Sequence, residues 1–298
     1  MNPIVSVIVA TYKRDTSLQL ALESLLGQTF EQYEIIVVDD NACEEWNLKV
    51  SAIIKQAREQ FPECEIKHIK NEQNQGSAKT RNIGIEAARG TYITFLDDDD
   101  VYLPLKIQNQ VEFMQKGNYD YSITDLNLYN EQDKLIDQRV RSYIKNTSKD
   151  SLLKCHLKYH LTGTDAMMFR KEYLVRIGGF APIDVGDEFY LMQRAIDGDG
   201  KFGYLAGCDI KAYVHTGEGG LSSGEGKIKG ENALFEYKQK YFSQLQSKDR
   251  RYIRMRHYAV LAFAELRRKN AMAFIKDALL SFLNAPIACL VALLRGFN

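Results

Sequence analysis

The sequence predicts an α/β protein built on a mostly parallel, doubly wound sheet. Three observations predict it. Short strand-like runs, at Ile4 to Ala10, Ile35 to Val38, Ile66 to Ile69 and Thr91 to Leu96, alternate with amphipathic helical stretches. The first, second and fourth read as nearly continuously apolar, as in strands covered on both faces. Right-handed crossovers then turn a β-α-β-α order into a parallel sheet with helices on its flanks.

After the first strand, Asp15, Thr16 and Ser17 supply helix caps, and Leu18, Leu22, Leu25 and Leu26 form one stripe ending at Gly27. The second strand ends in Asp39-Asp40. A helix is expected from Glu44 to Gln60, with Leu48, Ile53, Ala57 and Phe61 facing inward. Gly76-Ser77 opens the next helix, Ala78 to Arg89, which delivers the chain through Gly90 to the acidic strand. Past Pro104 come a helix to Lys116, half-exposed strands at Tyr121 to Thr124 and Leu126 to Tyr129, and a polar, loop-rich stretch from Asn130 to Lys149. Ala166 to Phe169 is another short strand, and Asp187 to Asp197 a helix. Gly217 to Gly230, rich in Gly and Ser, reads as a loop or lid.

From Glu231 the chain reads as helical. Arg250, Arg251, Arg254, Arg256, Arg267, Arg268 and Lys269 precede an apolar segment, Ala285 to Leu294, that is too short for a membrane span. Two arrangements fit this tail: helices lying at an anionic membrane surface, or a hairpin packed on the main domain with a solvated basic face.

Composition narrows the function. Lys+Arg and Asp+Glu are both 39, so the net charge is zero and no nucleic-acid partner is implied. The five cysteines are scattered without a CxxC pair, which indicates neither a disulfide framework nor a zinc site. The N-terminus lacks a basic, apolar leader, so a reducing, cytoplasmic setting is expected, with peripheral attachment to the cytoplasmic membrane face if the tail binds lipid.

Asp97-Asp98-Asp99-Asp100 follows the fourth strand directly. Ligands of open α/β sheets bind outside the carboxyl ends of the strands, where these acids lie. Adjacent carboxylates repel unless a cation is present. In an extended chain Asp97 and Asp99 would share a face, and hard oxygen donors suit Mg²⁺ or Mn²⁺. The loops Thr11 to Arg14, Asp39-Asp40 and Asp97 to Asp100 converge because each follows a parallel strand.

These segments resemble glycosyltransferase family 2, of the GT-A fold. The resemblance rests on Val5 to Arg14, Glu34 to Asp40, Asn74 to Asn82, Phe95 to Asp100, and Gly178-Gly179-Phe180 with Gly186-Asp187-Glu188. It covers Pro3 to His215. It implies a GT-A domain over 1–220, with a nucleotide-binding half (1–103) and an acceptor-side half (104–220), followed by a Gly-rich loop and helical tail over 221–298. The implied partners are a nucleotide-diphosphate sugar donor, UDP- or dTDP-type, and a glycan or lipid-linked acceptor. Thr11, Tyr12, Arg14, Asp39, Gly76, Arg81, Asp97 and Asp98 would bind the donor. Asp99, completed by His215, would hold Mn²⁺ or Mg²⁺. Inverting transfer needs a carboxylate base. The family's Glu-Asp order is reversed here, so Glu188 stands at the base position with Asp187 beside it.

The function expected is a metal-dependent inverting glycosyltransferase in surface polysaccharide synthesis. The alternatives are a sugar nucleotidyltransferase, disfavoured by the Gly-free loop Ala10 to Arg14, or a silent scaffold, disfavoured by the intact acids.

Overall fold

The structure is a computed structural model that describes residues 3–183, 186–214 and 224–295, the side chains of 224, 225, 294 and 295 excepted. Its contacts divide into two compact units: residues 1–149 with 161–214, and 150–160 with 215–298.

The first unit contains a seven-stranded sheet. Its early elements are β1 (Val5–Thr11), α1 (Thr16–Leu26), β2 (Tyr33–Asp39), α2 (Glu44–Gln60), β3 (Glu65–Lys70), α3 (Ser77–Ala87) and β4 (Tyr92–Phe95). They are followed by β5 (Val101–Tyr102), α4 (Lys106–Gly117), β6 (Tyr121–Thr124), β7 (Leu126–Asn130), β8 (Leu135–Arg139), β9 (Met167–Arg170), α6 (Lys171–Arg176), α7 (Asp187–Asp197), β10 (Phe202–Leu205) and β11 (Ile210–Val214), with α5 (Lys149–Tyr159) between β8 and β9. The strand order is β10-β6-β9-β4-β1-β2-β3. β1 pairs parallel with β2 and β4, β2 with β3, and β6 with β10. The mixed α/β, mostly parallel architecture is the one the apolar runs predict.

β9 is the exception. It runs antiparallel to both β4 and β6, so the residues before β9 lie at the same edge as those after β4. A smaller sheet, β5-β11-β7-β8, adjoins. Val5, Val7, Ile8, Val9 and Ile35 to Val38 are fully or almost fully buried, as strands sandwiched between helices require. Gly84 brings α3 against β1, since a Cβ there would meet the Ile8 side chain at 2.5 Å.

Four expectations change. β6, expected as a half-exposed strand, is buried at every position because it lies inside the sheet between β10 and β9. The inner face of α2 is Val50, Ile54 and Ala57, while Leu48 is exposed; the buried stripe follows i, i+4, i+7, one phase away from the predicted set. The polar stretch after Asn130 contains β8, a hairpin partner of β7. Gly224 to Gly230, expected as loop, opens a helix, and 217–223 lies outside the described residues.

The second unit is helical: most of α5, with α8 (Gly224–Gln239), α9 (Ser247–Arg267), α10 (Ala271–Asn284) and α11 (Pro286–Arg295). α9 and α10 form a hairpin, joined where the Asn270 side chain caps α10 by accepting from the Ala273 N–H. Among the described residues no helix is long and apolar enough to cross a membrane.

Candidate active site

The site is built at the carboxyl edge of β1, β2 and β4. Register places Thr11 beside Asp39 and Ile8 beside Phe95, so the loops that follow meet. The Tyr12 N–H donates to Asp98 at 3.1 Å, and the Arg14 guanidinium donates to Asp99 at 2.8 Å.

The acidic run does not stay extended. The Asp100 N–H donates to the Asp97 carbonyl at 3.1 Å, closing a turn. Asp97 and Asp100 therefore converge, and Asp99 faces Arg14 instead of sharing a side with Asp97. The convergent set is Asp97, Asp100 and Asp165, whose carboxylate oxygens lie within 4.8 Å of one another. Asp165 sits just before β9 and accepts from the Asp97 N–H at 2.7 Å. The Tyr102 hydroxyl holds the Asp165 carbonyl at 3.0 Å, with buried Lys106 donating to that hydroxyl at 3.0 Å. Burial, and then the neighbouring carboxylates, raise the pKa values of both Asp100 and Asp165. A cation would relieve that repulsion, and three carboxylates suit Mg²⁺ or Mn²⁺. The donor set fits such an ion. His215, the other residue expected at the metal, lies outside the described residues.

Arg81, on α3, bridges two parts of the site. It donates to Asp97 at 2.6 Å and to Asp187 at 2.9 Å, with its guanidinium carbon 5.4 Å from the Phe180 ring centre. Burial alone would favour its neutral form, but the two carboxylates more than offset this and hold it charged. Asp187 is also engaged by the Ser77 hydroxyl at 3.2 Å and by the Glu188 N–H at 2.9 Å.

Glu188 is placed differently. Among the described residues its carboxylate has one hydrogen-bond partner, the Thr164 hydroxyl at 3.4 Å. Burial, then Asp187 and Asp97, push it up to about 7. Burial, then Asp99, likewise raise Asp98 to about 7.

Asp39 has no exposed side-chain surface. Its oxygens accept from the Asn41 amide at 2.7 Å and face the His68 ring at 3.3 Å. Burial raises its pKa, but His68 and Asn41 outweigh that and hold it low. It meets the edge through those neighbours. Asp40 orders the loop before α3, accepting from the Gln75 N–H at 2.8 Å and the Gly76 N–H at 2.9 Å. Gly76 has φ 78° and ψ 162°, a conformation that only glycine adopts readily. Asp165, Asn41 and His68 were missed in the sequence. Asp165 carried one signal, an acid directly before an apolar strand.

A family model for glycosyl transferase family 2 matches residues 6–176. The chain belongs to glycosyltransferase family 2. Two of this chain's family relatives are an uncharacterized glycosyltransferase of Haemophilus influenzae, 30% identical over 60% of this chain and 56% of its own length, and one of Methanocaldococcus jannaschii, 30% identical over 74% of each. The Escherichia coli UDP-Glc:alpha-D-GlcNAc-diphosphoundecaprenol beta-1,3-glucosyltransferase WfaP is 35% identical over 45% of this chain and 49% of its own. The chain thus spans about half the length of the Haemophilus and Escherichia relatives, and 18% of one from Rickettsia bellii. Among solved structures, S. aureus TarS 1-349 in complex with UDP-GlcNAc superposes with a TM-score of 0.59 at 14% identity, covering 94% of this chain and 91% of that one. The mannosyltransferase PcManGT of Pyrobaculum calidifontis, solved with GDP-Man and Mn²⁺, gives 0.55 at 17%, covering 100% and 81%. At these identities the likeness establishes the GT-A fold of this family 2 chain.

Proposed function

We propose that this chain is a metal-dependent, inverting glycosyltransferase that moves a sugar from a nucleotide-diphosphate sugar to a lipid-linked or glycan hydroxyl in surface polysaccharide synthesis. The observation that carries it is the convergence of Asp97, Asp100, Asp165, Arg81 and Glu188 on one sheet edge. Nucleotide-sugar complexes of TarS and PcManGT, and the diphosphoundecaprenol acceptor in the name of WfaP, support the substrate classes.

In this reading Asp97, Asp100 and Asp165 would hold Mn²⁺ or Mg²⁺, while Asp99 pairs with Arg14. The ion supplies charge neutralisation for the departing diphosphate. Glu188 takes the proton of the acceptor hydroxyl as that oxygen attacks the anomeric carbon, and the bond to the diphosphate oxygen breaks with its electron pair leaving on the diphosphate. Asp187, occupied by Arg81 and Ser77, orients the pair. Arg81 acts by fixing Asp97 and Asp187. Thr11, Tyr12, Arg14 and the Asp39 neighbourhood shape the nucleotide end, and Asp40 with Gly76 sets the loop beneath it.

The test is donor hydrolysis and transfer over a panel of nucleotide sugars, with and without Mn²⁺. Metal-dependent turnover of one donor is expected. Absence of nucleotide binding would overturn the reading.

The reading extends to membrane contact through the C-terminal helices. The buried residues of α10 are Asp277 and Ser281, whereas Met272 is 85% exposed and Ile275, Leu279, Phe282 and Leu283 also face outward. The helix is polar within and apolar without, as suits an interfacial helix. Arg267, Arg268, Lys269 and Lys276 are exposed nearby in sequence.

A further inference from the structure

The helical unit contains a cavity of about 800 Å³ that the transfer chemistry does not use. Its charged wall comes from one stripe of α9. Lys248, Arg251, Tyr252 and Met255 recur at i, i+3, i+4, i+7, so they line one face. Arg256 and Lys158 add two more cations against a single carboxylate, Asp249. That carboxylate is buried and already accepts from Lys158 at 2.9 Å. Among the described residues, Lys248, Arg251 and Arg256 have no carboxylate at ion-pair distance, so the cavity carries three uncompensated positive charges. Burial disfavours the charge of nearby Lys238, and Arg256 adds to that effect.

The part of the lining that α11 supplies is apolar. Ile287, Ala288 and Val291 of α11 face the cavity, the alanine leaving room between larger side chains. Ile287 and Val291 are 81% and 41% exposed, so this apolar wall is open to solvent. Cations from α5 and α9 and solvent-open apolar residues from α11 in one cavity suit an amphiphile with an anionic head. Arginines at α9 suit phosphate oxygens, which accept two N–H donors from one guanidinium.

We infer that this cavity binds the phosphate or diphosphate head of a single membrane lipid, with Arg251 and Arg256 on the head and the chain laid along α11. The inference adds a lipid site to the acceptor side of the proposed function and rests on that reading only for its relevance to transfer, since the pocket itself stands on its own residues.

The test is calorimetric titration of the full chain in EDTA, where a metal-dependent diphosphate site is silent. Farnesyl diphosphate is the probe, with inorganic diphosphate and farnesol as the separated head and chain. Farnesyl diphosphate should bind, and each separated part at least about tenfold more weakly, because head and chain contribute jointly. The double variant Arg251→Gln/Arg256→Gln should weaken binding at least about tenfold, as two charge-assisted contacts are lost. Ala288→Phe, which fills the cavity and leaves the charges, should do the same. Both variants should keep the wild-type far-ultraviolet circular dichroism. Inorganic diphosphate binding as tightly as farnesyl diphosphate would make this a free-phosphate site and overturn the inference. So would farnesyl diphosphate affinity unchanged in both variants. Donor binding with Mn²⁺, measured on the same preparations, separates the two failures: its loss in the wild-type chain refutes the proposed function, whereas its retention alongside absent lipid binding refutes only the cavity.

Discussion

The Asp97 N–H donates to the Asp165 carboxylate at 2.7 Å, joining the turn after β4 to the short turn that precedes β9. An acid 68 positions away thereby enters the cluster that the aspartate run begins. Asp165→Asn keeps an acceptor for that N–H but removes a charge. It should raise the Mn²⁺ concentration for half-maximal donor turnover by about 10–100-fold with little change in melting temperature. An unchanged metal requirement would remove Asp165 from the ion's environment.

Arg81 is the buried cation shared by Asp97 and Asp187. Arg81→Gln leaves both carboxylates without it. Breaking a buried ion pair costs about 3–5 kcal/mol, and the low end applies because Asp97 is 35% exposed. Urea unfolding measures the loss. A variant as stable as the parent would show the bridge to be energetically idle.

Glu188 is pushed up to about 7 by burial and then by Asp187 and Asp97. Only the ionised carboxylate can accept the hydroxyl proton, so kcat/KM should rise about tenfold per pH unit below 7 and level off above it. Stability should move the opposite way. The unfolded carboxyl ionises near 4.5 and the folded one near 7, so this group's contribution declines as pH rises between those values. Glu188→Gln should abolish transfer while donor binding persists, and Asp187→Asn should retain measurable transfer. Wild-type turnover in Glu188→Gln would assign the base elsewhere.

Gly76 has open space where a Cβ would stand, so the cost of Gly76→Ala is conformational and not steric. A non-glycine residue at φ 78°, ψ 162° costs about 1–3 kcal/mol. The loop that Asp40 orders should loosen, and donor affinity should fall with stability. Unfolding curves and donor titration report the two effects separately.

The inside-out α10 gives a direct membrane test. Leu279→Glu/Leu283→Glu replaces exposed apolar residues that support no core. Co-sedimentation with anionic vesicles should drop while the melting temperature holds. Equal sedimentation of parent and variant would remove α10 from the membrane contact.

Much of the site was legible because it follows parallel strands. Apolar runs at β1, β2 and β4 are local signals, and their polar successors had to share an edge. The α2 phase was less legible: Leu48 and Val50 are both plausible inward residues until packing chooses between them. The identity of the convergent acids was not legible, because one i-to-i+3 turn regroups Asp97 with Asp100.

By itself the sequence determined the α/β class, the strands that build the edge, the acids beyond β4 and the Asp187-Glu188 pair at the start of α7. These are written in short-range periodicity and in ordered motifs. Only the tertiary structure decided that β9 runs antiparallel, that Asp165 joins the cluster, that Arg81 occupies Asp187 while Glu188 meets one weak partner among the described residues, and that α10 turns its apolar face outward. The physical reason is common to all four. Strand direction, ion pairing and helix facing are set by partners distant in sequence, and a local pattern of apolar and charged residues carries no record of which partner it will meet.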